Sequence, residues 1–237
     1  MSVLVIIPAA GAGTRMGRET PKQFLSLEGV AIFVHTLRKF VAADAVEEIF
    51  LAVQPEEMER AGEAVRNERF SKPVRLTEGG GTRQDTVARA LAIASPSTEI
   101  VLVHDAVRPF VPAEMIGRAV SAAREHGAVI FGIPSVDTIK QVEHNEILGT
   151  LPRERIALAQ TPQAFRYPLI KEAFDRAAQD GFQGTDESSL VERLGKAVTV
   201  LMGSDRNIKI TKPSDLPLAE LFISLERRQQ ESTAPIG

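Results

Sequence analysis

The chain has 237 residues, 43% hydrophobic and 25% charged, which is enough apolar material for a full core in one domain and excludes a disordered composition. A formal net charge of -3 excludes a global attraction for nucleic acid or anionic membrane, so an anionic ligand must be met by locally clustered Lys and Arg. There is no cysteine, which excludes disulfides and thiolate metal sites and makes the cytoplasm the expected compartment.

In chain order, the β-branched run 3–8 predicts a first strand. No basic residue precedes it, and Pro8 and the following glycines stop it well short of the ~18 residues that span a bilayer, so it reads as a core strand and no membrane association is expected. A helix is predicted at 30–43, a strand at 48–53, a helix at 55–69, a strand at 73–77 and a helix at 82–94. A strand at 100–104, a helix at 112–126 and a strand at 128–133 continue the alternation. A helix at 167–180, a strand at 197–202 and a helix at 213–229 complete it. The strands are nearly continuous in apolar residues, as burial on both faces requires. The fold class expected is α/β and Rossmann-like, a mostly parallel central sheet with helices on both faces.

One stretch breaks the rhythm. From Asp137 to Ala159 two strand-like runs flank the polar turn His144-Asn145-Glu146, which predicts a β-arm projecting from the sheet. Such an arm is too thin to bury its own apolar side, so a partner subunit is the expected cover. Residues 1–230 are expected to form a single domain including this arm (137–159), with 231–237 as a frayed tail.

The loop after the first strand is dense in unusual residues. In open α/β sheets ligands bind beyond the carboxyl ends of the strands, where this loop sits. Ala9, Ala10, Gly11 and Gly13 let the backbone approach a ligand closely and offer N–H groups to phosphate oxygens, while Arg15 and Lys22 add two cations. A strand-to-helix turn with two solvated cations would look similar. The spacing Gly11-x-Gly13-x-x-x-Gly17 departs from the G-x-G-x-x-G dinucleotide fingerprint, and Pro21 prevents one helix from running through the segment, which disfavours a dehydrogenase. A P-loop Gly-Lys-Ser/Thr is absent.

The run P-A-A-G-A-G-T-R-M-G with P-K-Q-F after it resembles the signature loop of nucleotidyltransferases that activate sugar and polyol phosphates. Further blocks follow in order: GGGTRQDTV (79–87), LVHDAVRPF (102–110), DTIK (137–140), AQTPQAF (159–165), TDESSLVE (185–192) and NIKIT (207–211). Together they resemble the 2-C-methyl-D-erythritol 4-phosphate cytidylyltransferase family over essentially the whole chain. The resemblance implies transfer of CMP from CTP to that acceptor with release of pyrophosphate, in the non-mevalonate route to isoprenoids. D-ribitol 5-phosphate cytidylyltransferases share the loop and an HDAVRPF-like block and are the alternative; the run Pro134 to Lys140 and TDESSLVE lean toward the methylerythritol enzymes. A non-catalytic nucleotide sensor should lack a phosphate-facing cation, whereas Arg15, Lys22, Arg153 and Lys209 are all present.

Carried over residue by residue, the resemblance makes Arg15, Lys22, Arg153 and Lys209 catalytic. It assigns CTP to Ala9, Ala10, Gly11, Gly13, Gly80, Gly81, Thr86, Asp105 and Ala106. It assigns the acceptor to Asp105, Arg108, Thr138, Arg153, Thr161, Thr185 and Lys209. It also implies a homodimer in which Arg153 reaches the partner's site. Many relatives carry a polar residue where Gly81 stands, so base contacts there fall to the backbone. From the residues alone, Lys209 could sit on an edge strand, Asp105 and Arg108 could be a surface ion pair, and Thr82 and Thr185 are candidate N-caps. His35, His104, His126 and His144 show no metal-ligand spacing, so no protein metal site is expected. Mg2+ is expected to arrive with CTP, held mainly by its phosphate oxygens.

Overall fold

The computed structural model describes residues 2–11 and 21–233. Strand β1 (Ser2–Pro8) is followed by the short pair β2 (Ser26–Leu27) and β3 (Val30–Ala31), then α1 (Ile32–Val41), β4 (Glu48–Val53) and α2 (Met58–Glu68). Next come β5 (Val74–Glu78), α3 (Arg83–Ala92), β6 (Thr98–Val103), α4 (Ala113–His126) and β7 (Ala128–Pro134). The hairpin β8 (Ile139–Glu143) and β9 (Glu146–Leu151) precedes β10 (Ala157–Arg166). The chain ends with α5 (Tyr167–Gln179), α6 (Glu187–Arg193), β11 (Thr199–Met202) and α7 (Leu216–Thr233).

Among the described residues, seven strands form the central sheet in the order β11-β7-β10-β6-β1-β4-β5. All pairings are parallel except the two made by β10, which runs antiparallel between β6 and β7. The expected mostly parallel α/β sheet is thus present. Successive residues of a strand point to opposite faces. Val3, Val5 and Ile7 therefore enter a core with α1, α2 and α4, while Leu4 and Ile6 enter a second core with α3, α5 and α6. Both sets are essentially inaccessible to water, so each such side chain contributes roughly 1.5–3 kcal/mol of transfer free energy. A third, smaller core under α7 joins Leu25, Leu27 and Ile32 to Val107, Phe110 and Ile210. It fastens the segments after β1, β6 and β11 to one another.

Four expectations need correction. The strand β10 was not foreseen, because Gln160, Thr161, Pro162 and Gln163 lack the pattern of a buried strand. The structure places Pro162 where pairing with β7 is interrupted between Gln160 and Ala164, so its missing N–H breaks no ladder bond there. As a consequence the arm is shorter than 137–159. Its hairpin is β8–β9, turning at His144 and Asn145 with φ of 48° and 67°, and Ala157 already pairs with Pro134 in the central sheet. Asp186 rather than Thr185 caps α6, because its carboxylate accepts from the N–H of Ser189. Helix α7 continues to Thr233, into the segment expected to fray. Thr82 does cap α3, in a reciprocal capping box with Asp85. No helix among the described residues is long and apolar enough to cross a membrane.

Candidate active site

The carboxyl ends of β1, β4, β5 and β6 open onto a cleft of about 300 Å³. After β1, the chain is held by side-chain amides: Gln23 donates to the carbonyls of Ala9 and Gly11, and Gln54 donates to that of Ala10 at 2.6 Å. Ala9 N–H is itself held by Ala52 O at 2.7 Å. With these carbonyls occupied, Ala9, Ala10 and Gly11 form one wall beside Lys22. Gln23, buried to 3% exposure, was not singled out from the sequence; its place in P-K-Q-F was the signal available.

Gly80, Gly81 and Thr86 form the opposite wall. Thr86 Oγ1 donates to Thr82 O and accepts from Gly80 N–H at 3.0 Å, so its hydroxyl shapes the turn. A Cβ at Gly79 would collide with Ala10 Cβ, and one at Gly80 with Asp85. At Gly81 the nearest atom would be Asp85 Oδ2 at 3.8 Å, so that position accepts a small side chain.

The floor is Asp105, which with Ala106 follows β6. The residue is 7% exposed, and its carboxylate meets three cations. Arg83 Nη2 lies 3.4 Å from Oδ1, while Arg108 Nε and Lys209 Nζ lie 3.1 and 3.0 Å from Oδ2. Burial alone would raise the Asp105 pKa, but Arg83, Lys209 and Arg108 outweigh it and hold the carboxyl well below the usual range. The Asp105–Arg108 pair is therefore buried, unlike a surface pair. Lys209 lies in an irregular segment after β11, on no edge strand.

Beneath this floor His104 is fully buried and stacks edge-on against Phe40. Its Nε2 lies 3.0 Å from Arg108 O, which can only accept, so Nε2 carries the proton. Nδ1 then accepts from Thr161 Oγ1 at 3.1 Å, and Thr161 Oγ1 accepts from Asp105 N–H at 3.1 Å. This chain fixes the 104–108 loop at both ends. Burial lowers the His104 pKa to about 4.

The expected residues thus divide. Ala9, Ala10, Gly11, Lys22, Gly80, Gly81, Thr86, Asp105, Ala106 and Lys209 converge on the cleft. Gly13 and Arg15 lie outside the described residues. Arg108 lines an adjoining hollow of about 320 Å³ that shares Lys209. Its guanidinium is committed to Asp105 and to Asn207 O at 2.7 Å. Thr161 is committed to His104 and the Asp105 N–H, which leaves it a structural part of the floor. Thr138, Arg153 and Thr185 are exposed and do not line the cleft of their own chain. Arg83, which sequence reasoning did not single out, lines the cleft and is joined by an ion pair to the buried Glu187, also not singled out, which does not line it. A larger, shallower depression between α5 and α6 has charges matched to each other, Lys171 with Asp175 and Arg176 and Arg193 with Asp180, and offers no convergent set.

The model of the 2-C-methyl-D-erythritol 4-phosphate cytidylyltransferase family matches residues 3–225. The chain belongs to this family. The Solibacter usitatus enzyme of that name is 51% identical, covering 95% of this chain and 97% of its own. The Acidobacterium capsulatum enzyme is 52% identical, covering 94% and 98%. In structure, the fold resembles 4-diphosphocytidyl-2C-methyl-D-erythritol synthase from Anaerococcus prevotii, with a TM-score of 0.83 at 29% identity over 94% of this chain and 96% of that one. The Thermus thermophilus cytidylyltransferase gives 0.77 at 34% identity over 94% and 98%. As a member of this family the chain is a cytidylyltransferase, a nucleotidyltransferase.

Two outcomes follow from the geometry. Gly80→Ala should weaken CTP binding by about tenfold or more through displacement of the wall, whereas Gly81→Ala should change it little, as calorimetric titration would register. His104 is depressed from 6.5 to about 4 in the folded state, so between these pH values the unfolded chain binds more protons and stability falls as pH falls. The loss amounts to about 3 kcal/mol at most, and denaturant titrations at pH 7 and 4.5 should show a shallower pH slope in His104→Gln.

Proposed function

We infer that this site transfers CMP from CTP to 2-C-methyl-D-erythritol 4-phosphate, giving 4-diphosphocytidyl-2-C-methyl-D-erythritol and pyrophosphate for isoprenoid synthesis. The observation that carries this is the family match from residue 3 to 225, which spans every segment lining a cleft with Lys22 and Lys209 and a glycine wall. D-ribitol 5-phosphate is not favoured as acceptor, because the full-length relatives bear the methylerythritol name.

The acceptor is already an anionic nucleophile, so no proton-abstracting triad is required. One of its phosphate oxygens attacks the α-phosphorus of CTP as the bond to the bridging oxygen breaks and pyrophosphate departs with that electron pair. Charge gathers on the α-phosphoryl oxygens, and the chain's contribution is fixed cations and N–H groups aimed there. In this reading Lys22 and Arg15 serve the triphosphate and Lys209 orients the acceptor phosphate. Ala9 to Gly11 and Gly80 to Gly81 present backbone to the nucleotide. Asp105 accepts hydrogen bonds from hydroxyls, with Thr138 and Thr185 further out on the acceptor side.

Mg2+ fits this site as a companion of CTP. Among the described residues no group of three His, Asp or Glu could hold a metal, and Asp105 is already engaged by three cations. The triphosphate oxygens would carry the ion, which would supply charge neutralisation. A homodimer is the second part of the reading. The arm exposes Val142, Ile147 and Leu148, and Arg153 at its base is half-exposed with Nη1 on Val136 O at 2.9 Å, outside its own cleft. A partner's site is where it would act. A cytoplasmic location accords with the cysteine-free sequence.

Pyrophosphate release with CTP, Mg2+ and each acceptor in turn should be faster with methylerythritol phosphate; a faster rate with ribitol phosphate would reverse the assignment. Lys22→Ala should lose at least ~100-fold in turnover while remaining folded by circular dichroism. Mixing Arg153→Ala with Lys22→Ala subunits should recover part of the activity in hybrid dimers, and proven exchange without recovery would refute the shared site.

A further inference from the structure

Arg83 is the first residue of α3, directly after the Thr82 cap. A cation in the first turn of a helix opposes the macrodipole. Its setting explains why it stands there. Nη1 donates to Glu187, which is 1% exposed at the start of α6, and Nη2 reaches Asp105 Oδ1 at 3.4 Å. The neighbouring Gln84 clasps the same loop before α6, donating to Phe182 O at 2.9 Å and accepting from Gly184 N–H at 2.8 Å. One turn of helix thereby joins the glycine wall, the floor carboxylate and the 182–187 loop.

Stability does not account for this arrangement. Buried ion pairs are poor stabilisers, and Glu187 Oε2 finds no hydrogen-bond partner among the described residues. Burial raises the Glu187 pKa against the pull of Arg83, while Arg83 stays firmly protonated because Glu187 and Asp105 outweigh its own burial. The geometry divides the oxygens of Asp105: Arg83 holds Oδ1, and Oδ2 faces Arg108 and Lys209.

We propose that Arg83, locked by Glu187, is a positioning residue for nucleotidyl transfer: it sets the orientation of the Asp105 carboxylate and, through it, of the Lys209 ammonium. This rests on the reading that Asp105 and Lys209 face the reacting ligands. Lysine cannot replace Arg83, because one ammonium cannot bridge two carboxylates in the plane of a fork. Glutamine cannot replace Glu187, because it removes the charge that holds the guanidinium.

The experiment measures kcat and both KM values by pyrophosphate release for Arg83→Lys, Glu187→Gln and their double variant, with thermal unfolding of each. Both single variants should lose about tenfold or more in kcat, the scale of a misplaced reacting group, while KM for CTP changes by less than about threefold. The double variant should be no worse than the worse single, since both changes break one linkage. Arg83→Ala should regain turnover with added guanidinium, which a merely structural loss would not. Folded single variants with kcat near the parent's, or losses that multiply in the double variant, would overturn the proposal. If Glu187→Gln does not fold, Glu187→Asp, which withdraws the carboxylate by one methylene, is held to the same outcomes. Asp105→Asn separates the two readings. If it keeps full activity, both fall; if it is crippled while Arg83→Lys and Glu187→Gln are not, only the role of Arg83 falls.

Discussion

The structure turns on one buried carboxylate. Asp105 is ionised at the end of β6 with little water around it, and such a charge is sustainable only if cations surround it. They come from three places far apart in sequence: the start of α3, the Asp105 loop itself and the segment after β11. The dependence is mutual. Arg83, Arg108 and Lys209 against Asp105 and Glu187 leave a cluster of three positive and two negative groups, compact enough to persist before an anionic ligand arrives and still positive enough to receive one.

Holding that cluster requires a rigid frame, and β10 supplies it. A parallel sheet of apolar strands has no polar side chains with which to satisfy the loops at its carboxyl edge. The antiparallel β10 brings Gln160, Thr161 and Gln163 to that edge, all nearly inaccessible. Gln160 donates to Ser204 O and accepts from Ser204 N–H, Thr161 accepts from Asp105 N–H, and Gln163 bonds Asp186 and the N–H of Ser188. Three loops are tied to one strand by groups that would be costly to leave unpaired. The neutral His104 joins that frame, since a proton on Nδ1 would displace the Thr161 hydroxyl from its role as donor.

The functional arrangement therefore sets hydrogen-bonded rigidity against electrostatic cost. The apolar cores on the two faces of the sheet supply the stability that tolerates buried charge at its edge. The arm stands apart from this frame: among the described residues its two strands expose Val142, Ile147 and Leu148 and pair only with each other.

The sequence by itself determined the alternation of strands and helices, because burial on both faces demands apolar runs and helices demand a 3.6-residue period, and both are local patterns. The glycines and cations after the first strand are compatible with a plain turn; it is the resemblance carried by the ordered blocks that points to the lining at 8–11, 80–86, 105–106 and 209, while the blocks at 137–140 and 185–192 do not line the cleft. Tertiary structure alone decided that Thr161 and Arg108 serve the floor, that Arg83 and Glu187 meet across 104 positions, and that a proline-bearing polar run becomes an interior strand. A hydroxyl or guanidinium has the same identity whether it faces substrate or a neighbouring backbone group. Which of these it does depends on contacts between segments distant in the chain, and no local pattern records them.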